Sequence, residues 1–199
     1  MRKSIIFIIC IVFSICGVQA QSMYVSSMKG NVNVRTAPST TAPKVGSISS
    51  ADLVPCIEEL NGWYKIDFNG KEAYVSQSVA TTCDAVIPEE MFGKDIESSE
   101  PWDKIRHQGM IRLTKYDNNH VLISMEWMRV NLPAESLNYL ATLKDGKVVA
   151  THLISYADES TPMSEIMESA SALDKPIPVG YGEFNSSIYF NGAEFSEFD

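Results

Sequence analysis

Cysteine and histidine are the residue types in this chain that could supply a nucleophile or bind a metal. Beyond residue 20 the cysteines are Cys56 and Cys83, and the histidines are His107, His120 and His152. A Cys–His pair would suit acyl transfer, whereas zinc needs a set of four thiolate or imidazole ligands. No histidine lies within a few residues of either cysteine, and no two histidines have metal-motif spacing. We therefore expect no metal site, no cofactor and no catalytic histidine.

Adjacent acidic residues are the other candidates for proton transfer. They occur as Glu58-Glu59, Glu89-Glu90 and Asp158-Glu159. Neighbours on an extended chain point in opposite directions, so the two carboxylates of each pair cannot act on one substrate. No G-x-S-x-G motif marks a serine nucleophile. The sequence predicts a protein that is not an enzyme.

The first 20 residues have the pattern of a signal peptide. Arg2 and Lys3 precede an apolar run over residues 5–16, and small residues at 17–20 suggest a cleavage site. The run is too short for an ordinary membrane span, and no later segment is long enough. A retained amino-terminal anchor is the alternative. We predict a signal peptide over residues 1–20, no membrane span after its removal, and an exported protein in the periplasm or at the cell surface.

Charge and cysteine count agree with export. The formal net charge is −9 at pH 7, which argues against nucleic acid and anionic lipid because both need a basic surface. An even number of cysteines in an oxidising compartment predicts one disulfide, here Cys56–Cys83. Such a bond would stabilise a small domain with a limited core. A metal pair is the alternative, but two thiols alone lack the other ligands of zinc.

A change in composition divides the chain. Residues 84–101 (DAVIPEEMFGKDIESSEP) are acidic and contain two prolines, which indicates a linker. Before them, residues 22–83 contain five short strand-like runs separated by turn residues, which favours a small barrel. The predicted strands cover residues 29–35, 44–48, 53–60, 63–68 and 71–75.

Residues 102–199 also predict a mostly antiparallel β domain. Asp145-Gly146 and Asn191-Gly192 are strong two-residue hairpin signals between alternating runs. One helix is predicted from Met163 to Leu173, with Thr161 as its cap and Pro176 ending it. The fold class is therefore mainly β: a small barrel followed by an antiparallel sandwich or partly open barrel with one short helix. The predicted strands cover residues 110–116, 120–129, 137–144, 147–156, 187–190 and 193–198.

Asn69-Gly70 predicts a tight hairpin whose register fixes the faces of its strands. A type I′ turn requires positive φ at both positions and pairs Trp63 with Ser76 and Lys65 with Tyr74. Paired residues share a face and successive residues alternate. The core face then carries Tyr64, Ile66, Phe68, Ala73 and Val75. The outer face carries Trp63, Lys65, Asp67, Glu72, Tyr74 and Ser76.

Four motifs in this order resemble the bacterial SH3-like domain over residues of about 24–80. They are GNVNVRTAPS at 30–39, APKVG at 42–46, NGWYKI at 61–66 and NGKEAYV at 69–75. Ala73 departs from the glycine that the family usually has, but its predicted core position accepts a methyl group. Residues 102–199 resemble no family that we recognise.

This resemblance implies a binding or targeting module of exported proteins, often one that holds wall hydrolases to cell-wall peptides. The implied groove lies beside the loop from Arg35 to Pro43, with Trp63, Tyr74 and Lys65. The expected partner is a peptidoglycan peptide or an envelope protein. In the alternative, Trp63 and Tyr74 pack against the second domain and Arg35 forms a salt bridge that positions the loop. The protein would then be a scaffold whose carboxy-terminal sandwich or calycin-like domain binds a partner or an apolar ligand.

Overall fold

The computed structural model describes residues 23–28, 30–98, 108–128, 133–183 and 186–196. The predicted signal peptide, His107 and the end of the predicted linker lie outside these residues. No helix in the described part of the chain is long and apolar enough to cross a membrane.

The fold is mainly β, with two antiparallel sheets and one short α-helix, as the sequence predicts. Within the described residues neither sheet closes into a complete barrel. The strands of the first half are β1 (Met23–Ser27), β2 (Val32–Arg35), β3 (Lys44–Ile48), β4 (Val54–Leu60), β5 (Trp63–Asp67), β6 (Glu72–Ser76) and β7 (Ala80–Asp84). The second half contains a 3-10 helix (Glu89–Met91), β8 (Asp95–Glu97), β9 (Gln108–Lys115), β10 (His120–Met128), β11 (Glu135–Lys144), β12 (Lys147–Ile154), α1 (Met163–Ser169), β13 (Ser171–Pro178), β14 (Gly180–Gly182), β15 (Ser187–Phe190) and β16 (Ala193–Ser196).

The first seven strands surround one apolar core. Each of them contributes at least one buried side chain, because alternation turns every second residue inward. The central members Val25, Val34, Ile66 and Val75 are fully buried. Ala73 is also buried in this core, so the methyl group that departs from the family pattern occupies an apolar environment.

The hairpin at Asn69-Gly70 has the predicted geometry. Asn69 and Gly70 have φ of 58° and 78°, and the predicted pairs from Trp63–Ser76 to Asp67–Glu72 are all present. The Asp67 side chain accepts a hydrogen bond of 2.7 Å from the Gly70 amide, which fixes the turn further. The core and outer faces of β5 and β6 are therefore those expected from the sequence.

The predicted disulfide is wrong for this arrangement, because Cys56 and Cys83 are both free and buried. Cys83 pairs with Tyr24 and packs beside it, whereas Cys56 packs with Val25 in the core of the first half. Tyr24 and Val25 are successive residues of β1, so their side chains point to opposite faces of the sheet. The two thiols therefore lie on opposite faces, and β7 is held by its five residue pairs with β1 instead.

In the second half, strands β8 to β13 form a six-stranded sheet in the order β13-β12-β11-β10-β9-β8. One face of this sheet packs against the β14–β16 strands through Ile111, Ile123, Ile188, Phe190 and Phe195. The turns Asp145-Gly146 and Asn191-Gly192 both have positive φ at both positions, as predicted. Side chains from both sheets meet in this one core. Two sheets packed face to face form a sandwich, not a calycin-like barrel.

The predicted helix is correct at its start and wrong at its end. It stops at Ser169, and residues 171–178 form β13 at the edge of the six-stranded sheet. Pro176 is tolerated there because an edge strand needs backbone donors on one side only. Leu173 packs into the core of the sandwich instead of extending the helix stripe. Thr161 does not cap the helix; its hydroxyl contacts the side chain of Asp158.

The described part of the predicted linker packs onto the second half. Ile87, Met91 and Ile96 are buried in the core of the sandwich, and Val86 forms an isolated bridge with Lys147. Most of the acidic residues in this segment face solvent, so its composition resembles a linker although its apolar residues are packed. The boundaries of the two predicted domains stay a prediction.

The two halves share a sheet. Tyr181 on β14 pairs with Asp84 on β7, which joins β14, β15 and β16 to the strands β1 to β7 of the first half. A small apolar cluster at this junction consists of Tyr24, Leu53, Cys83, Ala85 and Tyr189.

Candidate functional site

The structure brings the four predicted ligand-binding residues together. Arg35 on β2 lies opposite Tyr74 on β6, and Tyr74 lies opposite Lys65 on β5. Because paired residues share a face, these three side chains form a row across three neighbouring strands. Trp63 lies two residues before Lys65 on β5 and therefore on the same face. We call Arg35, Trp63, Lys65 and Tyr74 the outer aromatic face.

Each residue of the outer aromatic face is half-buried, so part of every side chain remains accessible to solvent. Lys65 is held in place by Glu72, with 2.8 Å between Nζ and Oε1. The hydrogen bond from Lys65 to Glu72 raises the pKa of the lysine, so its ammonium group stays charged at neutral pH. Lys65 has three donors, and those not used on Glu72 can bind an acceptor from a ligand.

Arg35 connects this face to the loop over residues 36–43. Its Nη1 atom donates a hydrogen bond of 2.7 Å to the carbonyl oxygen of Ala42. The Thr36 amide donates to the Pro43 carbonyl at 3.1 Å, which closes the base of the loop. Arg35 therefore contacts the loop through a hydrogen bond to a backbone carbonyl, whereas the alternative from the sequence expects a salt bridge. A guanidinium has five N–H donors, so donors remain for a ligand.

The outer aromatic face differs from the surface that joins the two halves. The junction cluster uses Tyr24, Leu53, Cys83 and Tyr189, and neither Trp63 nor Tyr74 belongs to it. The strands β5, β6 and β2 also lie on the far side of β1 and β4 from β14. Within the described residues, the row from Arg35 to Lys65 is thus available beside the loop.

The arrangement suits binding of an extended chain. Adjacent strands are about 4.8 Å apart, so Arg35 and Lys65 are separated by roughly 10 Å across the sheet. Tyr74 lies between these two cations, and Trp63 extends the surface along β5. Aromatic rings can pack on an extended peptide or on a sugar ring, while the cations donate to carbonyl or carboxylate groups.

The residues considered for catalysis lie apart. His120 contacts the turn residue Asp117 with 2.9 Å between Nδ1 and Oδ2, and this contact is the first cause of a lowered Asp117 pKa. His152 contacts the hydroxyl of its neighbour Thr151 at 2.9 Å. Burial raises the pKa of both thiols, for Cys83 to about 12, which keeps them protonated and poorly nucleophilic. Among the described residues no three potential ligands are grouped to hold a metal.

A second concave surface lies on the six-stranded sheet and was not predicted from the sequence. It is a groove of about 580 Å³ whose lining includes Asp95, Arg112, Glu126 and Tyr156. These residues come from β8, β9, β10 and the loop after β12, so no local motif indicates the groove. The isolated acidic pair Asp158-Glu159 was the one sequence signal for this region, and it suggested only a solvated loop.

Comparison with protein families supports the first half alone. The model of the bacterial SH3 domain matches residues 30–80, about a quarter of the chain. This match confirms the family resemblance of the segment that carries Arg35, Trp63, Lys65 and Tyr74. Neither the curated proteins nor the solved structures contain a match to the chain.

Proposed function

We propose that this protein is an exported, non-catalytic binding protein whose outer aromatic face recognises an extended peptide of the cell wall. The observation that carries the proposal is the continuous row of Arg35, Tyr74 and Lys65 across three strands, with Trp63 beside it. The match of residues 30–80 to a family of binding modules supports it.

The chemistry of the row favours a peptide with both apolar and acidic groups. Trp63 and Tyr74 would pack on the backbone and on short side chains, as aromatic residues do in grooves for extended peptides. Arg35 and Lys65 would donate to carboxylates, and both cations are already oriented by Ala42 and Glu72. This orientation lowers the entropy lost on binding. Stem peptides of peptidoglycan carry such carboxylates.

Tryptophan fluorescence of the full chain during titration with soluble muropeptides tests this function. We expect a saturable change that is lost in Trp63→Phe and weakened about tenfold or more in Tyr74→Ala, since central aromatic residues often dominate a binding surface. Trp127→Phe is the matched control, because Trp127 packs against Phe195 in the second half with ring centroids 5.7 Å apart. That variant should keep the full response.

A titration that is unchanged in both Trp63→Phe and Tyr74→Ala would contradict the proposal. It would favour the second candidate, a scaffold in which the barrel rigidly extends the carboxy-terminal half. The specific observation for that candidate is the shared sheet, with Tyr181 on β14 paired to Asp84 on β7. The carboxy-terminal half would then bind the partner.

A further inference from the structure

The outer face of the six-stranded sheet is covered at one side only. Helix α1 and the residues before it pack on β11 and β12 through Leu140, Ile154 and Ile166. The neighbouring outer face of β9 and β10 opens instead into the groove of about 580 Å³. Met110 and the nearly buried Leu122, which also belongs to the cluster beneath α1, lie at the floor of this groove, and the loop over residues 156–160 forms one wall. We call it the Tyr156 groove.

Tyr156 is the most exposed large apolar side chain of the described residues, at 76%. Its loop is nevertheless well anchored, because the next residue, Ala157, is buried in the cluster beneath α1. The hydroxyl of Tyr116 donates to the Thr161 carbonyl at 2.9 Å, and the Asp158 carboxylate accepts from the Ser160 amide at 2.8 Å. A fixed loop thus holds an aromatic ring at the rim of the groove, where the ring has few protein contacts.

The charges around this ring are unbalanced. Arg112 is the one cation among the lining residues, and it is neutralised by Asp95 through two hydrogen bonds of 2.6 Å. Glu126 and Glu159 also line the groove and form no hydrogen bond or ion pair with the residues that the structure describes. Glu159 also interacts electrostatically with Arg112. Among the described residues the groove therefore has four carboxylates against one guanidinium group, beside an exposed aromatic ring.

We propose that the Tyr156 groove binds the cationic side chains of an extended basic peptide. A Lys or Arg side chain has an apolar stem and a charged head, which match the Met110–Leu122 floor and the Glu126 and Glu159 carboxylates. The Tyr156 ring adds a favourable face for the cation. The strongly acidic chain, with a formal charge of −9, would attract such a partner over a distance.

This site is separate from the outer aromatic face. The Tyr156 groove belongs to the six-stranded sheet, whereas Trp63 and Tyr74 belong to the ten-stranded sheet. A basic peptide should consequently bind when Trp63 is substituted, so the two proposals can fail independently.

Fluorescence anisotropy of labelled hexalysine with the full chain tests the site, at a salt concentration of about 0.15 M that screens distant charges. We expect the double variant Glu126→Gln/Glu159→Gln to bind roughly fivefold more weakly, because two exposed ion pairs are lost. The matched control is Glu168→Gln/Asp174→Asn, which removes the same charge from exposed positions on α1 and β13. That control should keep the affinity of the wild type.

Tyr156→Ala tests the ring without changing the charge. It should weaken hexalysine binding about threefold, the size expected for an exposed cation–π contact, and Tyr156→Phe should not. The substituted side chains are exposed, so circular dichroism and thermal unfolding should match the wild type. Equal weakening in the charge control, or unchanged binding in Tyr156→Ala, would overturn the site. Binding of hexaglutamate, or displacement by lysine amide as effective as by hexalysine, would overturn the basic peptide as its ligand.

Discussion

Arg35 lies directly opposite Tyr74, and this pairing joins the β2–β3 hairpin to β6 in the barrel sheet. The same arginine donates a hydrogen bond of 2.7 Å to Ala42 in the adjacent loop. The Arg35 side chain therefore links the position of the loop over residues 36–43 to the surface around Tyr74. In the proposed function, a change at Arg35 would alter the shape of the surface as well as its charge.

Substituting Arg35 by alanine should loosen the loop over residues 36–43. The lost hydrogen bond to Ala42 should lower the free energy of unfolding by about 1 kcal/mol. The Thr36 amide, which donates to Pro43 at the base of the loop, should exchange its hydrogen faster. Urea unfolding and amide exchange measure the two effects. Lys44→Ala is the control. Lys44 lies on β3 opposite Arg35, but its side chain is exposed. Unchanged exchange at Thr36 in Arg35→Ala would contradict the positioning role.

The opposite faces occupied by Cys56 and Cys83 make a prediction about the purified protein. Without reductant, iodoacetamide in urea should alkylate both Cys56 and Cys83, because both thiols are free. In the native protein the reaction should be slow. Both thiols are buried, and burial raises their pKa, for Cys83 to about 12, so little thiolate forms at neutral pH. Mass spectrometry counts the adducts. If Cys56 and Cys83 were alkylated only after reduction, the two residues would form a disulfide after all.

The hairpin around Asn69-Gly70 could be predicted from the sequence because its determinants are local. Positive φ at both turn positions sets the register, and alternation then separates Trp63 and Tyr74 from the buried residues. The grouping of Trp63, Lys65 and Tyr74 follows directly. The proximity of Arg35 came from the family resemblance, since its pairing with Tyr74 joins strands far apart in sequence.

The parts that sequence reasoning missed depend on contacts between distant segments. β1 and β7 pair with each other although five strands separate them along the chain, so no turn signal connects them. The residues after Ser169 continue a helical apolar pattern, but they form β13, in which Leu173 packs against the sandwich core. The disulfide prediction failed for a similar reason, because the face of Cys83 is fixed by its pairing with Tyr24.

Gly180 should be sensitive to substitution because of its place at the junction of the halves. A Cβ atom at this position would lie 2.4 Å from the Cys83 sulfur and 3.1 Å from Cδ1 of Leu53. Gly180→Ala should therefore destabilise the protein by about 1–3 kcal/mol through overpacking. Chemical unfolding gives this value. Cys83→Ala in the same chain should recover part of the loss, because it removes the sulfur. Equal effects of Gly180→Ala with and without Cys83 would show that the two residues do not interact.

Stability should fall at alkaline pH because several buried acids must ionise when the chain unfolds. Burial is the first cause that raises the pKa of Cys83, from 9.0 to about 12, and it also raises the pKa of Cys56. Burial likewise raises the pKa of four tyrosines above 10.0, namely Tyr24, Tyr64, Tyr139 and Tyr189. Between the unfolded and folded values the folded chain holds more protons, so its stability decreases with rising pH.

This contribution is fully present below the ordinary thiol pKa of 9.0 and should be lost progressively between there and about pH 12. Each proton involved can change the free energy of unfolding by up to about 1.4 kcal/mol per pH unit. Urea midpoints recorded from about pH 8 to pH 11 measure the slope, a range in which thiols and tyrosines titrate. Cys83→Ala should make the slope shallower than that of the wild type, even though its stability at pH 8 differs. Parallel slopes in the two proteins would mean that Cys83 is not buried as a neutral thiol between Tyr24 and Tyr189.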